Sequence, residues 1–237
     1  MDLIVTSSTQ SSLAAKQATS SIPIVMAISS FPDKVGLVDS LAHPGGNVTG
    51  MSNVAPELAG KRMQLLKEIA PKVSRMLLLR NGGNPVESQG ARETQETARA
   101  IGLEVVEADV RTREDYPAAF AAAVAGRVDS LRAVGNPINF QHAQLIADFA
   151  LQHRMPSSYD EKRFVEVGGL LSYAPSFTDL FARAATLVDK ILRGAKPGEL
   201  PIQQPTTFEL VINAKTARAL GLTIPQSLLL RADKVVD

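Results

Sequence analysis

The chain has 237 residues, of which 45% are hydrophobic and 21% are charged, so it has enough apolar residues for the core of one large or two smaller globular domains. Its formal net charge of +1 predicts no strong attraction to nucleic acid or to acidic membranes. Cysteine is absent, which excludes disulfides, thiolate nucleophiles and zinc sites built on cysteine.

Short apolar runs alternate along the chain with amphipathic stretches, and this pattern is typical of an α/β fold in which helices cover both faces of a parallel sheet. The predicted strands are residues 3–6, 22–27, 48–52, 75–80, 103–108, 130–134, 155–159, 169–173 and 208–212. The clearest predicted helices are residues 12–19, 57–70, 139–153, 177–193 and a segment that begins after residue 213 and ends at Gly221.

The helix over residues 177–193 carries the clearest end signals. Ser176 can cap it, Asp179 occupies the capping-box position, and Gly194 follows as a stop. Leu180, Ala184, Leu187 and Ile191 are spaced to lie on one face, which we expect to be buried.

Two extended crossings, at residues 52–56 and 200–206, predict that the chain forms two lobes joined by a hinge. The predicted N-terminal lobe is residues 1–54 plus 203–237, and the predicted C-terminal lobe is residues 55–202. Hinge residues absorb the motion when a two-lobed binder closes, so we expect closure on a small ligand at these crossings. The N-terminal lobe has few strands and is predicted to be incomplete.

Polar side chains cluster where predicted strands end, and ligands of parallel α/β sheets sit at the carboxyl ends of strands. Hydroxyl and amide groups can bind a small polar ligand there, and aromatic rings can stack on it. The candidate ligand-binding residues are Thr6, Ser8, Phe31, Asn84, Asn136, Ser172 and Tyr173. Serine and asparagine are also preferred at helix N-caps, so a capping role is an alternative for each of them.

The sequence motifs of catalysis are missing, so no catalytic residue, metal ligand or cofactor is predicted. Gly45 and Gly50 have the spacing of a phosphate-binding loop, but Met51 stands where that loop needs lysine. His142 and His153 are eleven positions apart on one predicted helix, about 16 Å, which is too far to share a metal ion.

Four segments resemble one known family. They are AAKQAT running into IPIV at residues 14–25, LAHPGGNVTG at residues 41–50, VGGLLSY at residues 167–173, and a tail with FELVIN, KTA and LGLTIP at residues 208–225. Together they resemble the substrate-binding proteins of ABC transporters, in the group that includes tryptophan- and tyrosine-type binding proteins.

The resemblance implies a type I periplasmic-binding fold with two Rossmann-like lobes and a ligand between them. It also implies an extracytoplasmic location, a membrane permease as partner, and aromatic amino acids as a ligand class. Arg132 departs from the family, because it stands in a strand that is normally apolar.

The first residues, MDLIVTSSTQ, lack a basic region and a long apolar region, so they are not predicted to be a signal peptide. Family members usually place two βα units before the segment that matches residues 1–5. Residues 3–5 would then form an open sheet edge, and we expect either a truncated chain or self-association through that edge.

Two other functions stay open at this point. A cytoplasmic small-molecule sensor would fit the missing signal peptide, although no basic patch for DNA is present. An enzyme on the same fold would need a catalytic pair in the cleft.

Overall fold

The computed structural model describes residues 2–53 and 57–237, and these residues form an α/β protein. The strands are β1 Ile4–Thr6, β2 Ile24–Ser29, β3 Val48–Ser52, β4 Arg75–Arg80, β5 Glu104–Asp109, β6 Ser130–Ala133, β7 Ser157–Tyr159, β8 Leu171–Pro175, β9 Phe208–Asn213 and β10 Lys234–Val236. The α-helices are α1 Thr9–Ala18, α2 Glu57–Ile69, α3 Pro85–Ala100, α4 Tyr116–Ala125, α5 Pro137–Gln141, α6 Ala143–Gln152, α7 Arg163–Glu166, α8 Phe177–Leu192, α9 Ala214–Ala219 and α10 Gln226–Leu229. Short 3₁₀ turns lie at Arg113–Asp115 and Pro197–Glu199.

The chain divides into two compact units. The first unit is Met1–Pro56 with Pro175–Phe208, and the second is Glu57–Ala174 with Glu209–Asp237. The first contains a three-stranded sheet of order β1-β2-β3, and the second a seven-stranded sheet of order β10-β9-β8-β7-β6-β4-β5. The strand pairs are parallel, as expected for strands covered on both faces.

In the first unit, α8 packs on one face of the sheet, and α1 and the loop after β2 pack on the other. Val25 and Met51 bury their side chains with Leu187 of α8. Ile24 and Met26, the alternating residues of β2, pack with Leu37 instead. The side chains of residues 24–27 therefore alternate between two apolar layers, which explains why this part of β2 has no polar face.

The second unit has the same sandwich arrangement on a larger scale. Leu77, Leu131 and Tyr159 are buried on the face that packs against α4, α6 and α7. Met76 and Leu171 are buried on the opposite face with α2 and the C-terminal segment. The nine predicted strands and the helices at α2 and α8 are confirmed, and the expected apolar face of α8 is buried.

The division of the chain differs from the expected one. We expected residues 203–237 to complete the N-terminal lobe, but β9 joins β8 in the second sheet, where the Asn213 amide donates to the Leu170 carbonyl at 2.8 Å. Conversely, α8 lies within residues 55–202, which we expected to form the C-terminal lobe, but it belongs to the first unit. Strand pairing decides this assignment, because β9 extends the larger sheet and α8 covers the smaller one.

The second of the two expected crossings lies fully within the described residues and differs from the expectation. Residues 54–56 of the first crossing lie outside the described residues. In the second crossing, the Ile202 amide donates to Leu41 O and the Gln203 amide to Gly50 O, so this part runs alongside the first sheet. The chain passes into the second unit only after Phe208.

Strand β1 lies at the edge of the first sheet, as expected for residues 3–5. It pairs with β2 on one side, and Val5 is 55% exposed. The predicted helix over residues 139–153 is interrupted: α5 ends and α6 begins at His142, whose backbone is not helical (φ −112°, ψ 23°).

Candidate functional site

A buried carboxylate organises two of the candidate ligand-binding residues in the second unit. Glu87 lies in the first turn of α3 and is 5% exposed. Its Oε1 accepts from Nδ2 of Asn84 at 2.9 Å, and its Oε2 accepts from Nδ2 of Asn136 at 2.8 Å and from the Asn81 amide at 2.7 Å. The carboxylate thus joins the loops that follow β4 and β6.

The same two asparagines are helix N-caps. Asn84 Oδ1 accepts from the Val86 amide at 3.1 Å at the start of α3. Asn136 Oδ1 accepts from the Asn139 amide at 2.8 Å at the start of α5. Each amide side chain therefore uses its oxygen for capping and its nitrogen for Glu87, which fixes its orientation.

Opposing effects act on the charge of Glu87. Burial raises the pKa of the Glu87 carboxyl, and the nearby Asp160 also raises it. The hydrogen bonds from Asn81, Asn136 and Asn84 lower that pKa, because donors stabilise the ionised form. The net result is a pKa above its ordinary value.

In the first unit, hydroxyl groups connect the end of β1 to the start of α1. Thr6 is buried, and its Oγ1 shares a 2.7 Å hydrogen bond with Oγ of Ser12. Ser8 is the N-cap of α1, and it forms a reciprocal capping box with Ser11. Both predicted residues thus have structural partners, and Ser8 caps α1.

Phe31 occupies an unusual backbone conformation in the loop after β2. Its φ is 51°, a left-handed value that costs an L-residue with a bulky side chain about 1–2 kcal/mol. Two hydrogen bonds hold the loop around it: the Ser30 amide donates to Thr9 Oγ1 at 2.9 Å, and the Val35 amide donates to Phe31 O at 3.0 Å. The ring is half-buried.

Ser172 and Tyr173 lie next to each other in β8 of the second unit. Ser172 is buried, and within the described residues its Oγ has no hydrogen-bond partner. Tyr173 is half-buried, and its backbone carbonyl accepts a hydrogen bond from Nε of Arg62 at 2.6 Å. Burial is the main cause that raises the pKa of the Tyr173 hydroxyl.

The structure brings Asn84 and Asn136 together through Glu87. It links Thr6 to Ser8 through Ser12, whose hydroxyl bonds to Thr6 Oγ1 and lies 2.8 Å from the Ser8 carbonyl oxygen that accepts from it. Sequence reasoning missed Glu87 and Arg62, which became visible only when the fold placed them. Asp160 forms an ion pair in the same unit, since its Oδ2 lies 3.5 Å from Nη2 of Arg132. The spacing Asn84-x-x-Glu87 matches a helix-start pattern and could have indicated the contact between these two side chains.

Within residues 2–53 and 57–237, no group of three or more His, Cys, Asp or Glu side chains is placed to hold a metal ion. Over the same residues, no helix has both the length and the apolar character needed to cross a membrane.

The sequence profile of the family described as "ABC transporter substrate binding protein" matches residues 1–236. A curated relative, the tyrosine-binding protein of Clostridioides difficile (strain R20291), is 28% identical over 221 residues; the match covers 93% of this chain and 63% of the relative. The chain thus spans less than two thirds of that relative's length.

Two solved structures are also similar. The ABC domain in complex with L-Trp from Streptococcus pneumoniae has a TM-score of 0.92 and 28% identity, covering 99% of this chain and 79% of the other. A conserved domain protein from Vibrio cholerae has a TM-score of 0.92 and 30% identity, covering 99% and 78%. The fold is the α/β type I periplasmic-binding fold, and the chain belongs to the ABC transporter substrate-binding protein family.

Proposed function

We propose that this chain binds an aromatic amino acid, tryptophan or tyrosine, as the solute-binding component of an ABC importer. The observation that carries the proposal is the family match over residues 1–236. The relatives named for tyrosine and for L-Trp support the ligand class. The protein would act by reversible binding, without covalent chemistry, outside the cytoplasm and together with a membrane permease.

The contacts of the ligand stay a prediction. We propose that Thr6, Ser8 and Phe31 of the first unit contribute, together with four residues of the second. Those four are Asn84, Asn136, Ser172 and Tyr173. Asn84 and Asn136 support this best, because Glu87 holds their amides in one orientation and a preorganised polar group loses less entropy on binding. Closure at the expected hinge and self-association at the β1 edge also remain proposals.

A thermal-unfolding screen tests the proposed ligand class. A ligand that binds only the folded state raises the unfolding midpoint by mass action. L-tryptophan or L-tyrosine should raise it, and L-lysine and L-glutamate should leave it unchanged. A rise with only charged or aliphatic amino acids would replace the proposed ligand, and no rise with any amino acid would refute the proposal.

A further inference from the structure

Two arginines are buried inside the second unit, on one side of its sheet. Arg132 lies in β6 and is 5% exposed, and Arg62 lies in α2 and is 7% exposed. Helix α2 packs against β7, the strand next to β6. Burial, followed by the charge of Arg132, lowers the pKa of the Arg62 guanidinium to about 9. Burial also lowers the pKa of Arg132, and the charge of Asp160 raises it. Arginine keeps its proton in proteins, so both side chains are cations at neutral pH.

The protein supplies these cations with little negative charge. Nη2 of Arg132 lies 3.5 Å from Oδ2 of Asp160, which is longer than the 2.7–2.9 Å of a charge-assisted hydrogen bond. Nε of Arg62 donates to the neutral carbonyl of Tyr173. The carboxylate of Glu87 already accepts from three amide donors. Among the described residues, Asp160 is therefore the one carboxylate that forms an ion pair with either of these two cations.

The donors of Arg132 are also unsatisfied. Its Nε and Nη1 are buried, and within the described part of the chain they have no hydrogen-bond partner. Arginine keeps its proton and cannot accept a hydrogen bond, so these two nitrogens need acceptor atoms. Ser158 pairs with Arg132 across β6 and β7, and its buried Oγ is likewise without a partner among the described residues.

The position of this cluster fits a ligand contact. Arg132 is one residue from the end of β6, and Asp160 follows the last residue of β7. Ligands of parallel α/β sheets sit at this carboxyl edge. Counted within the described residues, two cations with one paired carboxylate, two unsatisfied N–H groups and one hydroxyl correspond to one singly charged acceptor with two oxygens.

We propose that Arg132, with Arg62 and Ser158, forms a buried anion subsite that binds a carboxylate group of the ligand. The identity of the ligand rests on the proposed function, whereas the preference for a carboxylate rests on these side chains alone. The carboxylate of the ligand is recognised within the second unit. An analogue of the same size with an uncharged group in place of this carboxylate is rejected, because it leaves the buried guanidinium without a counter-charge.

Calorimetric titration with L-tryptophan and L-tryptophanamide tests the subsite. The amide lacks the negative charge, so the wild-type chain should bind it roughly 10- to 100-fold more weakly than the acid. Arg132→Met should weaken binding of the acid by a similar factor and leave the amide unchanged. Arg92→Met, which removes an exposed arginine from α3, should keep the wild-type ratio. An acid-to-amide ratio that is the same in wild type and Arg132→Met would overturn the proposal.

Loss of folding in Arg132→Met would not prevent the test. The variant Arg132→Lys keeps a positive charge beside Asp160, so the ion pair is retained, but it lacks the Nε and Nη1 donors of arginine. Its ratio of acid affinity to amide affinity should fall below that of the wild type. A variant that keeps the full wild-type ratio would show that Nε and Nη1 of Arg132 do not bind the carboxylate.

Acetate separates a failure of the subsite from a failure of the proposed function. Sodium acetate should raise the unfolding midpoint of the wild type above that in an equal concentration of sodium chloride, and the difference should vanish in Arg132→Met but remain in Arg92→Met. This result without tryptophan or tyrosine binding would support the subsite and refute the proposed ligand. Equal midpoints in acetate and chloride would indicate a water-filled arginine pair and overturn the subsite.

Discussion

Replacing Glu87 by glutamine tests whether this carboxylate holds the two asparagine caps in place. The glutamine amide puts an NH₂ group where one carboxylate oxygen accepts hydrogen bonds. In the less costly orientation of this amide, its oxygen still accepts from Asn81 and Asn136. Its NH₂ group then faces the NH₂ group of Asn84, and two donors oppose each other. Asn84 can turn its amide over only by losing the 3.1 Å bond from Val86 that caps α3.

The expected cost follows from these contacts. A hydrogen bond to a charged group contributes about 1.5–3 kcal/mol, and removal of a buried charge offsets part of that loss. We therefore expect Glu87→Gln to lower the free energy of unfolding by about 1–3 kcal/mol. Glu96→Gln is the matched control, because Glu96 is exposed on the same helix, and we expect a change within about 0.5 kcal/mol.

Urea unfolding followed by far-ultraviolet circular dichroism measures both changes. Hydrogen exchange at the Asn81 amide gives a local measurement, since this N–H donates to Glu87 at 2.7 Å. Exchange there should accelerate in Glu87→Gln and stay unchanged in Glu96→Gln. Equal unfolding midpoints for the two variants, with unchanged Asn81 exchange, would refute the reasoning.

Three other outcomes are expected. The pKa of Glu87 is raised in the folded state, so the folded state binds a proton more readily than the unfolded state does. The stability of the wild type relative to Glu87→Gln should therefore fall as the pH rises from about 4.5, the ordinary pKa, through the raised pKa. Urea titrations at several pH values that show a constant difference between the two proteins would contradict this. Leu187→Ala should cost about 2–5 kcal/mol in thermal or urea unfolding, whereas Leu192→Ala, at a position that is 61% exposed, should cost little; equal losses would show that α8 does not pack as described. Gly50→Ala should destabilise the first unit by about 2 kcal/mol or more, because the φ of Gly50 is +146° and a methyl group there would clash with the backbone of β2. Gly46→Ala is the control, because no atom lies within 4 Å of the added methyl group. Equal proteolysis rates of the two variants would contradict the close approach of Gly50 to β2.

The strands could be predicted from the sequence because buried parallel strands are continuous apolar runs. Helix α8 was equally clear, since Ser176 caps it, Gly194 follows it with φ 100°, and its apolar residues recur at helical spacing. Strand β10 was missed, because three residues beginning with an exposed lysine give too weak a signal.

The division into units could not be predicted because it depends on which sheet receives each segment. The pattern of β9 shows that it is a strand but not that it pairs with β8 rather than with a strand of the first sheet. The same limit applies to the charged residues. Arg62 on an amphipathic helix is indistinguishable in sequence from a solvated arginine, and only the packing of α2 shows that it is buried.

Calorimetric titration of the purified chain with L-tryptophan and with L-tyrosine tests the central claim most directly. The account predicts saturable binding of at least one of them, with one ligand per chain, and a negative heat-capacity change from burial of the aromatic ring. A folded chain, verified by circular dichroism, that releases or absorbs no binding heat with either amino acid at several temperatures would contradict it.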